Sequence, residues 1–361
     1  VPDVVTMPQH FHKAGYHTVS LGKIFHNHMP DRISWDEPDL RPAEYATPEL
    51  IDRDPESFYY DEELKKELAA VREKRIAENP ARYAGGWAYG RSTECSDAPD
   101  NAFYDGAQTD LALATLRRIK DGRQPFFMAL GYYRPHLPFV APKRYWDLYD
   151  PDELSPARNP YLPKDAPVMA ADSSYELKGC YDLEFVGHPS VYTLPEDVAR
   201  RLKHGYCASV SYIDACLGRM LDGLEEMGLA DDTIVVLWGD HGYKLGEHNG
   251  WTKQTNYNVD TRVPLIVRAP GVGRPGRDCG RLTELVDLYP SLCDLAGIEV
   301  PSLMEGTSFK PLLRDPERPW KSAAFSQYHR RPNVSPDGKR YMGYSMVTER
   351  FHYVEWRAWD N

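Results

Sequence analysis

No apolar run in the 361 residues approaches the roughly 20 positions that a bilayer span requires, so a membrane-spanning helix is not expected. The longest such run, residues 233–238, is only strand length. Basic residues are in deficit: 43 Lys and Arg stand against 54 Asp and Glu, a net charge of −11. Sequence-independent nucleic-acid binding needs a basic face, and this balance argues against it. An anionic small substrate stays possible, because a site can be locally positive inside an acidic protein. Cysteine is sparse as well. The six (Cys95, Cys180, Cys207, Cys216, Cys279 and Cys293) form no C-x-x-C pair and no zinc-like spacing. Cys207, Cys216 and Cys293 fall on helix-like faces, where a buried free thiol is the ordinary outcome. There is no internal repeat and no low-complexity tract. No signal peptide is visible, but the chain opens at Val1 rather than Met, so that absence carries no information.

What is present is the ordinary texture of a globular protein, 42% hydrophobic and 27% charged. A short helix through His10 and Lys13 stops at Gly15, and a strand follows over 16–21. Residues 28–106 are rich in Pro, charge and aromatics, a long excursion with one polar helix near 61–78. A helix over 108–120 and a strand over 125–131 come next, then an irregular stretch at 150–192. Pro195-Glu196-Asp197 opens a long amphipathic helix. Its predicted apolar face is Val198, Leu202, Tyr206, Val210, Ile213, Leu217, Leu221 and Leu224, and Gly228 ends it. Strands at 233–238 and 263–268 and a helix through Leu285–Leu295 follow. This alternation predicts an α/β fold, a mostly parallel sheet with helices on both faces. Residues 1–310 read as one catalytic domain. A linker at 311–320 and a hairpin within 341–356 read as the start of a smaller C-terminal subdomain.

Three strand ends carry the chemistry. In open parallel sheets ligands bind outside the carboxyl ends of strands. The strand at 233–238 delivers Asp240-His241, which can ligate a divalent cation or simply cap a loop. The strand at 16–21 delivers Lys23 and His26, and that at 125–131 delivers Tyr133-Arg134-Pro135-His136. Lys244, Glu247, His248 and Lys253 follow Asp240. A lone His or Lys is usually a surface residue, but together these groups suit a tetrahedral oxyanion such as sulfate or phosphate.

The segments Gly22-Lys23-Ile24-Phe25-His26, Gly131-Tyr-Tyr-Arg-Pro-His136-Leu-Pro-Phe139 and Gly239-Asp-His-Gly-Tyr-Lys-Leu-Gly-Glu-His248, with Trp251-Thr252-Lys253, resemble the sulfatase family, closest to its iduronate-2-sulfatase branch. Val263-Pro-Leu-Ile266, Glu305-Gly-Thr-Ser-Phe309, Ser326-Gln-Tyr328 and Met342-Gly-Tyr-Ser345 extend the likeness over nearly the whole chain. The resemblance implies an alkaline-phosphatase-like α/β fold, a bound Ca²⁺, and a formylglycine made from the cysteine of a Cys-x-Pro/Ala-x-Arg motif by a formylglycine-generating enzyme. Carried over by position, Asp240 and His241 would ligate calcium. Lys23 and His26 would hold the formylglycine hydrate, and Lys253 would bind a sulfate oxygen. His136 would contact the sulfate and protonate the leaving alkoxide. The implied substrate is a sulfated saccharide, a 2-O-sulfated uronate, and the implied location is exported: periplasmic, extracellular or lysosomal.

One departure matters. None of the six cysteines begins the modification motif: Cys95 is followed by Ser-Asp-Ala-Pro and Cys207 by Ala-Ser-Val-Ser. The family's opening strand, with its paired Asp ligands, also has no counterpart. The expectation is therefore a fragment of a sulfatase that is inactive by itself. The competing expectations are a phosphate or phosphonate ester hydrolase of the same superfamily, and a nucleophile-lacking relative that only binds sulfated glycan. Arg134, Lys143 and Arg144 are candidates for attracting a polyanionic glycan, and Tyr133, Trp251 and Tyr257 for stacking on sugar rings; a solvated loop and simple packing are the alternatives.

Overall fold

Thr6 starts the first helix. Its side chain accepts the Gln9 N–H while the Gln9 side chain accepts the Thr6 N–H, a reciprocal cap. In the computed structural model, which describes residues 4–25, 31–42, 58–80, 90–273, 275–331, 335 and 337–359, two units are resolved. The first comprises Val1–Ala157, Tyr175–Gly187 and Thr193–Leu229, and the second Arg158–Ser174, His188–Tyr192 and Ala230–Asn361. The 311–361 piece read from sequence texture falls wholly within the second.

The first unit carries α1 (Met7–Lys13), β1 (His17–Gly22), β2 (Glu37–Leu40), α2 (Glu62–Glu78), β3 (Thr93–Ser96), α3 (Tyr104–Ile119), β4 (Phe126–Gly131), β5 (Phe139–Pro142) and α4 (Glu196–Glu226). Strands β2, β1 and β4 form a parallel sheet in that order, with His17 opposite Phe126 and Gly22 opposite Gly131. Side chains alternate across it. Val19, Leu21, Met128 and Leu130 pack with Leu111, Ala112 and Ile119 of α3 on one face. From the other, Phe127 meets Phe11 of α1, ring centroids 4.6 Å apart. Helices thus cover both faces, as the strand–helix alternation predicts. β3 and β5 pair in parallel separately.

Two expectations shift. Helix α3 begins at Tyr104 rather than Gln108, because tertiary contacts hold its first turn: the Gly106 N–H donates to the Tyr212 hydroxyl at 2.6 Å. The buried stripe of α4 is not the predicted aliphatic one. Leu202 and Leu224 are buried, but so are Gly205, Ala208, Ser209, Tyr212 and Cys216, while Val210 and Leu221 are exposed. Small side chains let the helix approach its neighbours closely, and that close packing outweighs the larger residues one turn round.

The second unit carries β6 (Val235–Trp238), β7 (Lys244–Leu245), β8 (Trp251–Thr252), β9 (Leu265–Arg268), α5 (Leu288–Ala296), α6 (Lys310–Arg314), β10 (Ala323–Arg330), β11 (Tyr341–Thr348) and β12 (His352–Ala358). Here β6 and β9 run antiparallel. The chain between them builds the β7–β8 hairpin, a 3₁₀ turn and a single turn of helix rather than the crossover helix of a parallel return. Val236, Leu265 and Val267 pack with Leu288, Leu295, Phe309, Leu312 and Trp320. The stretch read as a linker therefore contributes to the core, with Pro311 tolerated in the first turn of α6. β10, β11 and β12 form an antiparallel sheet. No helix among the described residues is long and apolar enough to cross a membrane.

Candidate active site

In the first unit, parallel pairing brings the carboxyl ends of β1 and β4 together. The Lys23 N–H donates to the Gly131 carbonyl at 3.1 Å. A Cβ on Gly131 would lie 1.9 Å from the Lys23 carbonyl oxygen, so only glycine permits this crossing. The Lys23 ammonium lies 5.8 Å from the Tyr133 ring centre, and the Arg41 guanidinium reaches the Tyr133 hydroxyl at 3.4 Å. Two cations therefore stand beside the loop that leads to His136. His26 lies outside the described residues.

That loop is pinned from beneath. Buried Asp105 accepts the backbone N–H groups of Tyr133 at 2.7 Å and of Arg134 at 3.1 Å. Burial pushes its carboxyl above the ordinary value, against the pull of Arg134 and the two N–H donors. Arg134, itself 5% exposed, donates to the His136 carbonyl at 2.7 Å and lies over the Phe58 ring. It is a buried brace rather than a glycan-attracting surface charge. Tyr133 and Trp251 are buried too, which makes them packing residues rather than stacking platforms. Lys143 and Arg144 are exposed but ion-paired with Asp147 and Asp100.

His136 is oriented. Its Nδ1 lies 2.8 Å from the Leu137 carbonyl, which can only accept, so Nδ1 carries a proton and Nε2 is the exchangeable position. Nε2 lies 3.9 Å from Oε2 of Glu176, and both side chains are largely buried. Glu176 comes from the irregular 150–192 stretch, where no periodicity or motif marks it in the sequence.

In the second unit β6 ends at Gly239-Asp240-His241-Gly242. The Gly242 N–H donates to the Asp260 carbonyl at 2.8 Å. His241 donates from Nδ1 to the Gly242 carbonyl at 2.9 Å, and its Nε2 lies 3.6 Å from Asp240 Oδ1. The Asp240 carboxylate is 71% exposed. Calcium takes six to eight oxygen donors. Asp240 offers a carboxylate, His241 offers a nitrogen, and no group of three or more His, Cys, Asp or Glu among the described residues is arranged to hold a metal. The pair alone does not make a calcium site. Lys253 sits beyond the β7–β8 hairpin between Thr252 and Gln254, which have φ of 72° and 78°. Below it, Lys244 and Asp260 form a buried ion pair at 2.5 Å, and Asp260 also accepts the Thr255 N–H at 2.8 Å.

All six cysteines are free thiols. Burial pushes Cys216 up to about 12 and Cys293 up to about 11. A buried, protonated thiol is a poor nucleophile. Neither Cys216 nor Cys293 is therefore set up as an attacking group.

The chain matches the Sulfatase family over residues 2–298 and the N-sulphoglucosamine sulphohydrolase C-terminal family over 246–360. It is 30% identical to iduronate 2-sulfatase of Homo sapiens over 97% of this chain and 70% of that protein. It is 28% identical to choline-sulfatase of Rhizobium meliloti over 87% of this chain and 57% of that one. Among solved structures, BT4656 in complex with its substrate D-glucosamine-2-N,6-O-disulfate superposes with a TM-score of 0.68 at 21% identity, covering 99% of this chain and 75% of that one. Phosphonate monoester hydrolase from Silicibacter pomeroyi gives 0.65 at 22% identity, over 99% and 74%. At these identities the superpositions establish the shared fold, an alkaline-phosphatase-like α/β architecture. A family match across four fifths of the sequence and a relative aligned along nearly all of it lead to one conclusion: this chain belongs to the sulfatase family.

Proposed function

We propose that the protein hydrolyses sulfate esters of sulfated saccharides, with a 2-O-sulfated uronate as the preferred substrate. The observation that supports this most directly is His136. It is a histidine with one nitrogen committed to a carbonyl and the other exchangeable, in the loop after β4 whose Tyr133 is met by Lys23 from the end of β1 and Arg41 from the end of β2. Cleaving a sulfate ester needs negative charge stabilised on the sulfate oxygens and a proton delivered to a poor leaving group. On this reading His136 protonates the departing alkoxide, and Lys23, His26 and Lys253 carry the electrostatic part. The uronate assignment draws on the likeness to iduronate 2-sulfatase, and an exported location draws on the same relative.

Formylglycine, where present, supplies the attacking oxygen. No cysteine of this chain begins the motif, so the 361 residues are proposed to be inactive by themselves. Asp240 and His241 are proposed to contribute to a cation site completed by further oxygen donors.

The test uses the full-length protein. His136→Ala and Lys253→Ala should each lower desulfation by about a hundredfold or more, the scale at which single proton-transfer and charge-stabilising groups act. Near-normal rates in either variant would sink that residue's assignment. A panel of 2-sulfated uronates, 6-sulfated hexosamines, choline sulfate and a phosphonate monoester decides the substrate. Release from any of the last three but not from the first rejects the uronate reading.

A further inference from the structure

Lys253 is flanked by two left-handed residues, and neither is glycine. Thr252 has φ of 72° and Gln254 has φ of 78°. For a β-branched threonine this region is a true outlier, and such strain persists only where the surroundings over-determine the backbone. The direction of the Lys253 side chain is thus set by two dihedrals that its neighbours do not favour. Something else must hold them.

The second unit contains that restraint. Arg330, the last residue of β10, is 2% exposed. Its Nη1 donates to the Gln254 carbonyl at 2.5 Å and its Nε to the Met169 carbonyl at 2.7 Å, with Nη2 3.4 Å from the Ala170 carbonyl. The guanidinium lies against the rings of Tyr328 and Trp356, at 5.5 and 5.2 Å from their centres. Its charge is balanced by buried Asp172. A planar fork that holds several carbonyls in fixed directions is a geometric restraint that a point charge cannot reproduce. Immediately after Gln254, Thr255 is anchored through its N–H to Asp260 and Asn256 donates to the Gly343 carbonyl at 3.3 Å.

We propose that Arg330 is a positioning residue that holds the Thr252–Gln254 turn in its left-handed conformation and thereby aims Lys253 at the bound anion. This rests on the reading of Lys253 as a sulfate contact, and its test separates the two. Amide hydrogen exchange at residues 252–255 reads the clamp without any turnover, and kcat/KM for a sulfate ester in the full-length protein reads its consequence. Arg330→Gln should speed exchange in the turn and lower kcat/KM by roughly tenfold to a hundredfold, the penalty of misplacing a group by about 1 Å. Arg330→Lys keeps the buried charge without the fork, folds more readily and should shift both readouts in the same direction.

In a Lys253→Ala background the Arg330→Gln loss should shrink to less than about twofold, because residues that act through one another are non-additive. Adding Gln254→Gly to Arg330→Gln should restore much of the loss, since glycine holds a positive φ unaided. Unchanged exchange in both Arg330 variants, losses that simply multiply, or no rescue by Gln254→Gly would each overturn the proposal. Fast exchange with undiminished activity in Lys253→Ala would overturn instead the sulfate-contact reading on which the functional half depends.

Discussion

Replacing Asp105 with asparagine should unseat the His136 loop, and the size of the effect follows from its contacts. The carboxylate accepts two backbone N–H bonds, at 2.7 and 3.1 Å, and balances buried Arg134. Asparagine has one acceptor oxygen, so one N–H loses its partner and faces an NH2 group. A lost bond to a charged acceptor is worth about 1.5–3 kcal/mol, and an orphaned buried donor costs about 1–3 kcal/mol. The sum is about 2.5–6 kcal/mol, towards its upper end if Arg134 is left without a counter-charge. At about 2.1 cal/mol/K per residue, a chain of 361 residues loses about 1.3 °C of Tm per kcal/mol, so a fall of roughly 3–8 °C is expected. Calorimetry measures it, and urea unfolding gives the same free energy independently.

Activity should fall further than stability alone requires at a temperature where the variant is folded, because Arg134 holds the His136 carbonyl. The pH dependence carries its own sign. Burial holds the Asp105 carboxyl above its ordinary value, so the native state keeps its proton to higher pH than the unfolded chain. Its contribution to stability is full below the unfolded value of about 4 and declines as pH rises through the folded one. Asparagine abolishes that slope. A Tm within about 2 °C of wild type, with unchanged kcat, would refute the account of this loop.

Glu176→Gln removes the carboxylate 3.9 Å from Nε2 of His136 while keeping its shape. Losing a negative charge disfavours the protonated ring. The alkaline limb of the pH–rate profile should therefore move to lower pH. An unmoved limb would show that Glu176 does not act on His136. Thiol labelling of the folded chain should modify exposed Cys95 and Cys279 first, with buried Cys180, Cys216 and Cys293 reacting only on unfolding. Alkylation of Cys216 or Cys293 at the rate of the exposed pair would contradict the packing described above.

Much of the fold is legible locally. Strands β4 and β6 announce themselves as short apolar runs, and β1 as an alternation that sets Val19 and Leu21 on one face. Gly15 and Gly228, at φ of 90° and 69°, mark helix ends that a side chain would resist. Other features depend on distant partners. The buried stripe of α4 is decided by how closely Gly205 and Ala208 let it approach neighbours, and no helical periodicity encodes that. The antiparallel return of β9 follows from what the intervening chain fails to build. Lys23, His136, Asp240, His241 and Lys253 stand out because strand ends and family motifs mark them. Asp105, Glu176 and Arg330 do not, because each acts on a residue far away in the chain.

The sequence by itself determined the chemical inventory and its addresses: an acidic chain with no apolar run of bilayer-spanning length, cationic and imidazole groups at the carboxyl ends of strands, and no cysteine in a modification motif. Tertiary structure decided how those groups are held. It chose which nitrogen of His136 is exchangeable, set a carboxylate beside it, buried Arg134 as a brace and locked the turn around Lys253. The physical reason is range. Turn, cap and strand preferences act over a few residues, whereas hydrogen-bond commitment and burial belong to contacts that exist only once the chain has closed on itself.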